Sequence, residues 1–372
     1  MLLRFEVSNY AGFKDTFVFD LSSGKRYDYN QDMIDRKVIK KALIYGPNGS
    51  GKSSLCSALM DITYHIVDKA KNLVSNDKYF YAGSTNNKAK FVYIFKFDKQ
   101  VVKYEYMKSS STTLVYEKLY INDVLNLEYN YFDESHNVNL ISGASTLNIK
   151  GLPQQISFIK FIYNNTIQNE KSVIYKLVNY VSRMLYFKSL TDGNNYVGYS
   201  NGSESLSSII IKHKKTEDFK NFLAEQGLNY NLIEYKDQSG NDNLGVEFEN
   251  HKIIPFGTMI SSGTKKIWLF YCWMLEFSNL SLLIIDEFDA YYHYTTAQLV
   301  LKIINKYNNM QSIITTHNMM LMNNEITRPD CCFILDNNMI RSLCQLTNKE
   351  IRKKNNLQKM YIDGEFSNYL NC

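Results

Sequence analysis

"YGPNGSGKSSL", residues 45–55, ends an apolar run and opens a segment with helical spacing. It fits G-x-x-x-x-G-K-[S/T] at Gly46, Pro47, Asn48, Gly49, Ser50, Gly51, Lys52 and Ser53, with Ser54 following. Glycines there let backbone N–H groups close around phosphate oxygens, and the helix that follows turns its positive end toward the same charge. The motif assigns Lys52 to the β- and γ-phosphates and Ser53 to Mg²⁺. ATP and Mg²⁺ are therefore the expected cofactors, with Gly46–Ser54 as the expected nucleotide cradle. A cradle alone does not say what the nucleotide drives.

Working outward, "KKALIY" (40–45) predicts a buried strand, and Leu55, Leu59 and Ile62 predict a helix after Gly51. "LLIIDE" (282–287) is an apolar strand ending in two acids. Asp286 at its tip suits Mg²⁺ held through water, and Glu287 suits proton acceptance from an attacking water. "SSGTKK" (261–266) precedes an apolar helix, so Ser261, Ser262, Gly263 and Thr264 offer donors at a helix start, a second place for an anion. "ITTHN" (314–318) ends the next strand and puts His317 at a strand tip. The 31 residues from Asp286 to His317 hold one helix and one strand, which brings the two tips side by side.

The bulk composition fits a folded protein of about two domains: 372 residues, 45% hydrophobic and 21% charged. A net charge of +5 permits nucleic acid without requiring it. The basic runs "KHKK" (212–215) and "RKK" (352–354) are solvated faces first. Six cysteines show no paired CxxC spacing, which argues against a zinc site and for a reducing compartment. The start "MLLRFEVSNY" lacks a signal-peptide core, and the apolar stretch "IWLFYCWML" (267–275) is too short to span a bilayer. The expectation is a cytoplasmic protein with no membrane partner.

Period-two alternation in "LLRFEVSNY" and "TFVFDLS" predicts a hairpin. "FVYIFKF", "VVKYEYM", "LVYEKLYI" and "VLNLEYNY", between residues 91 and 131, predict an antiparallel meander. Ile174, Leu177, Val178, Val181 and Leu185 predict a helix, as does Thr216–Gln226 with Gly227 as its stop. "LIEYKD" and "LGVEFEN" predict a hairpin, and "TAQLVLKIINKY" and "CCFILD" a further helix and strand.

Cradle, SSGT, DE and His, in this order, resemble an ATP-binding-cassette (ABC) ATPase of the non-transporter branch. That branch includes the structural-maintenance-of-chromosomes (SMC), RecF and overcoming-lysogenization-defect ATPases. The resemblance implies an α/β P-loop NTPase of ABC-ATPase type. Its parts would be a mainly parallel sheet, an N-terminal antiparallel β part, and an inserted β-meander and helical region. The implied divisions are 1–87, the first half of the head; 88–250, the insertion; and 251–372, the second half. Such heads pair head to tail, so Ser261, Ser262, Gly263 and Thr264 would contact ATP held by the other copy, in a homodimer or a higher homo-oligomer. Lys52, Glu287 and His317 are the implied catalytic residues.

"MLLRFEVSNYAGFKD", "ALIYGPNGSGKSSL", "SSGTKK", "IIDEFDAYYHY", "TTHN" and "NLQKMYIDGEF" together look like the AAA15/AAA21-type ATPases of bacterial anti-phage and abortive-infection operons. The resemblance implies an ATP-hydrolysing sensor or scaffold that controls a separately encoded effector, a nuclease or toxin. The 55 residues after His317 are too few for a nuclease domain of the TOPRIM kind. A RecF-like DNA-repair ATPase is the alternative. The chain departs from the pattern at Ala11 and Gly12, where a basic residue is usual, and at Ile260, where a glutamate often stands. Asp289-Ala290 stands at the D-loop and His293 at the family's "LHP" histidine. Gln154 and Gln155 are the nearest glutamines for the Q-loop.

Overall fold

A computed structural model describes residues 1–25, 27–67, 76–139, 147, 149–188, 196–198, 204–290 and 292–366. Its spine is a seven-stranded sheet with the spatial order β12 (Tyr196–Gly198), β11 (Met184–Lys188), β16 (Leu282–Asp286), β17 (Gln311–Thr316), β5 (Lys41–Tyr45), β18 (Cys332–Asp336), β19 (Met339–Ser342). The inner strands are parallel and the two edge strands antiparallel. Leu282 and Ile284 enter the core on one face, Leu283 and Ile285 the core on the other, as the two-residue period of a strand requires. Cys331 and Cys332 divide between the two cores in the same way. Burial on both faces is why these strands read as unbroken apolar runs.

A second seven-stranded sheet has the order β10 (His136–Val138), β9 (Val124–Asn130), β8 (Leu114–Ile121), β7 (Gln100–Lys108), β6 (Ala89–Phe97), β1 (Leu2–Ser8), β2 (Phe17–Asp20) and is antiparallel throughout. A two-stranded ladder, β3 (Ile34–Asp35) with β4 (Val38–Ile39), leads into β5. Between the two large sheets lies α1 (Lys52–Val67), with 11 of its 16 residues buried. A helix covered on all sides belongs to the interior. It shares its core with α2 (Phe158–Asn165) and α3 (Val173–Ser182). The other face of the central sheet is covered by α4 (Leu206–Lys212), α5 (Thr216–Glu225), α6 (Phe256–Met259), α7 (Ser262–Met274) and α8 (Tyr294–Lys306). A small sheet of β13 (Leu232–Lys236), β14 (Asp242–Glu247) and β15 (Ile253–Pro255) and the start of α9 (Leu357–Ile362) complete that core. No helix among the described residues is long and apolar enough to cross a membrane.

Two expectations change. The interval 88–250 is not one insertion of separate architecture. β6 pairs directly with β1, so the meander and the N-terminal hairpin are one sheet, and β11 belongs to the central sheet through its parallel pairing with β16. The helix expected to include Leu185 stops at Ser182, and Leu185 pairs with Leu283. A short apolar run covered on both faces carries no periodicity that separates strand from helix.

Polar side chains fasten α1 to the antiparallel sheet. Asp61 accepts hydrogen bonds from the hydroxyls of Tyr79 (2.9 Å) and Tyr106 (2.8 Å) and from the buried Lys108 ammonium (2.6 Å). One turn on, His65 Nε2 lies 2.9 Å from the Tyr104 hydroxyl, which donates to Glu117. Glu117 also accepts from the Tyr131 hydroxyl, Ser157 Oγ and the Phe158 N–H, which holds the start of α2. Burial pushes the Glu117 carboxyl up and the Lys108 ammonium down, the latter opposed by Asp61.

The two large sheets are also joined by one amide. Gln311 on β17 accepts from the Leu2 N–H through Oε1 (2.9 Å) and donates through Nε2 to the carbonyls of Leu2 (2.9 Å) and Ile39 (2.8 Å). The Tyr180 hydroxyl donates to the same Oε1 at 3.1 Å. Gln311→Leu preserves volume but strands these buried partners, each at about 1–3 kcal/mol. The expected result in chemical denaturation is a loss of at least about 2 kcal/mol. A variant as stable as the parent protein would show that the sheets do not depend on this bond.

Candidate functional site

Parallel strands deliver their C-terminal ends to one edge of the sheet, where open α/β sheets bind ligands. Thr316 of β17 is in register with Tyr45 of β5, so His317 and Gly46 leave the sheet together. Lys188 of β11 is in register with Asp286 of β16. The sheet thus gathers Gly46–Ser54, Asp286, Glu287 and His317 at one edge.

The cradle geometry requires its glycines. A Cβ on Gly46 would lie 2.5 Å from the Leu335 carbonyl oxygen, and Gly49 and Gly51 have φ of +78° and +102°, a region that side chains disfavour. Ser50 Oγ is buried without a hydrogen bond. Lys52 is buried, and its ammonium donates to the carbonyls of Gly46 (2.7 Å) and Pro47 (2.9 Å). Burial lowers the Lys52 pKa, while Asp286 and Glu287 oppose that shift.

Asp286 is fully buried at the tip of β16. Its Oδ1 accepts from Thr315 Oγ1 at 2.6 Å, and the same Thr315 oxygen accepts from the Glu287 N–H at 2.9 Å. Glu287 lies just past the strand with φ +52°, a strained conformation for a non-glycine residue, worth about 1–3 kcal/mol. Asp286 Oδ2 and Glu287 Oε2 have no hydrogen bond, and Lys188 Nζ stands 3.9 Å and 3.6 Å from them. Thr316 Oγ1 donates to Asp289 Oδ1 at 2.7 Å, placing the Asp289-Ala290 stretch beside the same tip.

Nucleotide and Mg²⁺ fit these residues. The left-handed glycines open a backbone nest ahead of a long helix. Ser50 Oγ and the two carboxylate oxygens are buried polar atoms without hydrogen-bond partners. Mg²⁺ is commonly held by one or two carboxylates together with phosphate.

Ser261–Thr264 are not brought to this edge by any hydrogen bond or ion pair among the described residues. Ser261 instead caps α7, accepting from the Thr264 N–H at 3.2 Å. Gln154 and Gln155 are elsewhere: the Gln154 carbonyl accepts from the Leu114 N–H at the start of β8. Lys212, Lys215 and Arg352 of the basic runs pair with Glu204, Asp218 and Glu350. Thr315 and Lys188 were missed from sequence. Thr315 sits inside the quoted "ITTHN", but nothing there distinguishes it from an ordinary strand threonine. Lys188 gains its place only through register.

The family model described as "AAA domain, putative AbiEii toxin, Type IV TA system" matches residues 41–323. No curated protein matches the chain. Among solved structures, the chain is similar to an SMC head domain from Thermotoga maritima, with 14% identity, 92% of this chain and 98% of that one covered, and a TM-score of 0.44. It is also similar to the recombination mediator protein RecF bound to ATP, with 13% identity, 92% and 99% covered, and a TM-score of 0.39. For an ATP-binding subunit of an ABC transporter the values are 12%, 96%, 98% and 0.38. At these TM-scores no residue's role follows from the likeness.

Thr315→Val removes one donor and one acceptor at the acid pair while keeping the shape. A loss of about 1–3 kcal/mol is expected in urea denaturation, with Thr315→Ser close to the parent protein. Equal stability of the valine variant and the parent would remove Thr315 from the support of this site.

Proposed function

The chain belongs to the AAA-domain family whose model matches residues 41–323, and from this premise we propose that it is an ATP-hydrolysing switch of a bacterial defence system, acting on a separate effector. It is a P-loop ATPase. The observation that carries the hydrolytic reading is the meeting of the phosphate loop with the Asp286–Glu287 pair at one sheet edge. The toxin–antitoxin context in the family's description supports the defence reading.

In this reading the N–H groups of the cradle hold the β- and γ-phosphates. Lys52 turns from the Gly46 and Pro47 carbonyls to the same oxygens. Ser53 and Asp286 would hold Mg²⁺, which would supply neutralising charge when bound. Glu287, aimed by its strained backbone and by Thr315, accepts the proton of the attacking water. His317 stands beside the terminal phosphate. Ser261, Ser262, Gly263 and Thr264 serve the nucleotide of a second copy, so the closed form is a head-to-tail pair.

Glu287→Gln keeps the cradle and removes the base. Nucleotide binding is expected to persist and phosphate release to fall at least ~100-fold. Light scattering with ATP should then report a trapped dimer. Near-normal phosphate release would put the base elsewhere, and a monomer at all ATP concentrations would defeat the paired arrangement.

The effector is tested separately. The chain is expressed with its gene neighbours and isolated with ATP, with ADP and with neither. Retention of a neighbour's product should change with nucleotide, because a ligand moves an equilibrium only through differential affinity for two states. Degradation of DNA or RNA by the purified chain alone would overturn the reading.

A further inference from the structure

We propose that the chain carries a second ligand site: a cavity at the end of β18 away from the cradle, built to hold a nucleotide unit, a flat base with its phosphate. The inference goes beyond the ATPase reading above and uses none of the residues placed there.

The cavity has a volume of about 910 Å³, the size of a small-ligand pocket (~300–1,000 Å³). One wall is the loop after β2, with Lys25, Tyr27 and Tyr29. The other is the segment after β19, with Lys349, Arg352 and Lys353. In that second wall the Cys344 N–H donates to the Pro329 carbonyl, ahead of β18. The cradle meets β18 near its far end, where Gly46 faces the Leu335 carbonyl. The two sites therefore lie at opposite ends of one strand.

A buried amide ties the walls together. Asn324 is 3% exposed. Its Oδ1 accepts from the Tyr29 hydroxyl at 3.1 Å, and its Nδ2 donates to the carbonyls of Arg352 (3.2 Å), Lys353 (3.1 Å) and Asn355 (3.0 Å). Asn30 Nδ2 adds bonds of 3.0 Å to the carbonyls of Asn324 and Thr327. The tyrosines thus have set places, with ring centroids 5.5 Å apart. The Arg328 guanidinium stands 5.2 Å from the Tyr27 centroid, and the Lys353 ammonium 5.9 Å from that of Tyr29. Arg328 is itself buried and fixed to Asp330 by two hydrogen bonds of 2.9 and 2.8 Å.

The lining selects the class of ligand. Four cations face two carboxylates, Asp28 and Glu350, so the cavity favours an anion. Arg352 and Lys349 pair with Glu350 and Glu365 at exposed positions, where such pairs are worth little and a phosphate can take their place. The tyrosine rings offer flat faces on which a base stacks. Ile351 is the one aliphatic side chain among the described lining residues, so the apolar side chains of a peptide find little to cover them. A base with its phosphate uses both the rings and the charge; an acidic peptide uses only the charge.

The test is equilibrium binding of fluorescent adenosine monophosphate, and separately of a short fluorescent single-stranded oligonucleotide, to the full chain. The cradle is first saturated with a non-hydrolysable ATP analogue and Mg²⁺. Tyr27→Ala is expected to weaken binding at least ~5-fold, the low end for loss of one base–aromatic stack. Tyr27→Phe should keep the parent affinity. Lys353→Met should weaken binding too and, for the oligonucleotide, lower the log–log salt slope by about 0.7, the share of one phosphate contact. Thermal melting establishes that each variant is folded, and Tyr27→Leu replaces the alanine variant if that one is not. Equal affinity for the two probes identifies a free nucleotide as the ligand, and binding of the oligonucleotide alone identifies a strand; both support the site. Binding of neither probe overturns it, as does an unchanged affinity in the folded variant without the Tyr27 ring, or equal binding of a fluorescent polyglutamate peptide. Lys52→Met, titrated without the analogue, separates the two sites. A probe lost there but kept in Tyr27→Ala has bound at the cradle and overturns the proposal. A probe kept there while ATP is lost supports two sites.

Discussion

Gln311 satisfies the backbone of two different sheets with one side chain. Its amide takes the place of a strand neighbour for Leu2 at the start of β1 and reaches Ile39 ahead of β5, while its own backbone sits in β17. At the start of β1 this side chain meets the Leu2 N–H and carbonyl, and beside it the Ile39 N–H continues the junction by donating to the Leu21 carbonyl. Buried backbone groups without partners cost more than most side-chain contacts return. With the junction closed, α1 is sealed between the sheets, and the cradle at its start has a fixed base.

The site is built on the opposite principle. At the tip of β16 the protein leaves two carboxylate oxygens without hydrogen bonds and holds Glu287 in a disfavoured backbone conformation. Such features persist only where the surroundings over-determine them. Here the surroundings are three buried parallel strands whose register is set by apolar side chains on both faces. Thr315 adds a hydroxyl that ties Asp286 to the next backbone N–H. Acids aimed in this way need no reorganisation when charge develops beside them.

What was legible in the sequence was whatever chemistry fixes locally. The cradle could be read because phosphate binding demands glycine at particular positions, and the backbone geometry agrees at Gly46, Gly49 and Gly51. The acids and His317 could be read because they end apolar strands. The meander could be read from alternation, but not its fusion with β1, since pairing between distant strands leaves no mark on either. β11 was lost because "MLYFK" is buried on both faces and follows α3 after Arg183 alone, so its apolar residues extend the helical period. Lys188 and Thr315 were illegible for a related reason: each has its place through a neighbour in the ladder, and register is a property of the folded sheet.

The grip on Asp61 and His65 has a mechanical side. α1 begins at Lys52 and its 16 residues span about 24 Å. Tyr79, Tyr106 and Lys108 hold its middle, and Tyr104 holds it one turn further on. Pulling a buried, paired lysine from its carboxylate costs about 3–5 kcal/mol, so the helix does not slide against the antiparallel sheet. It tilts with it. A tilt of about 5° at the phosphate end becomes a travel of about 2 Å at the far end of a rod that long. With helix and antiparallel sheet clasped as one piece, any change of angle at the phosphate end would reach that sheet on this scale.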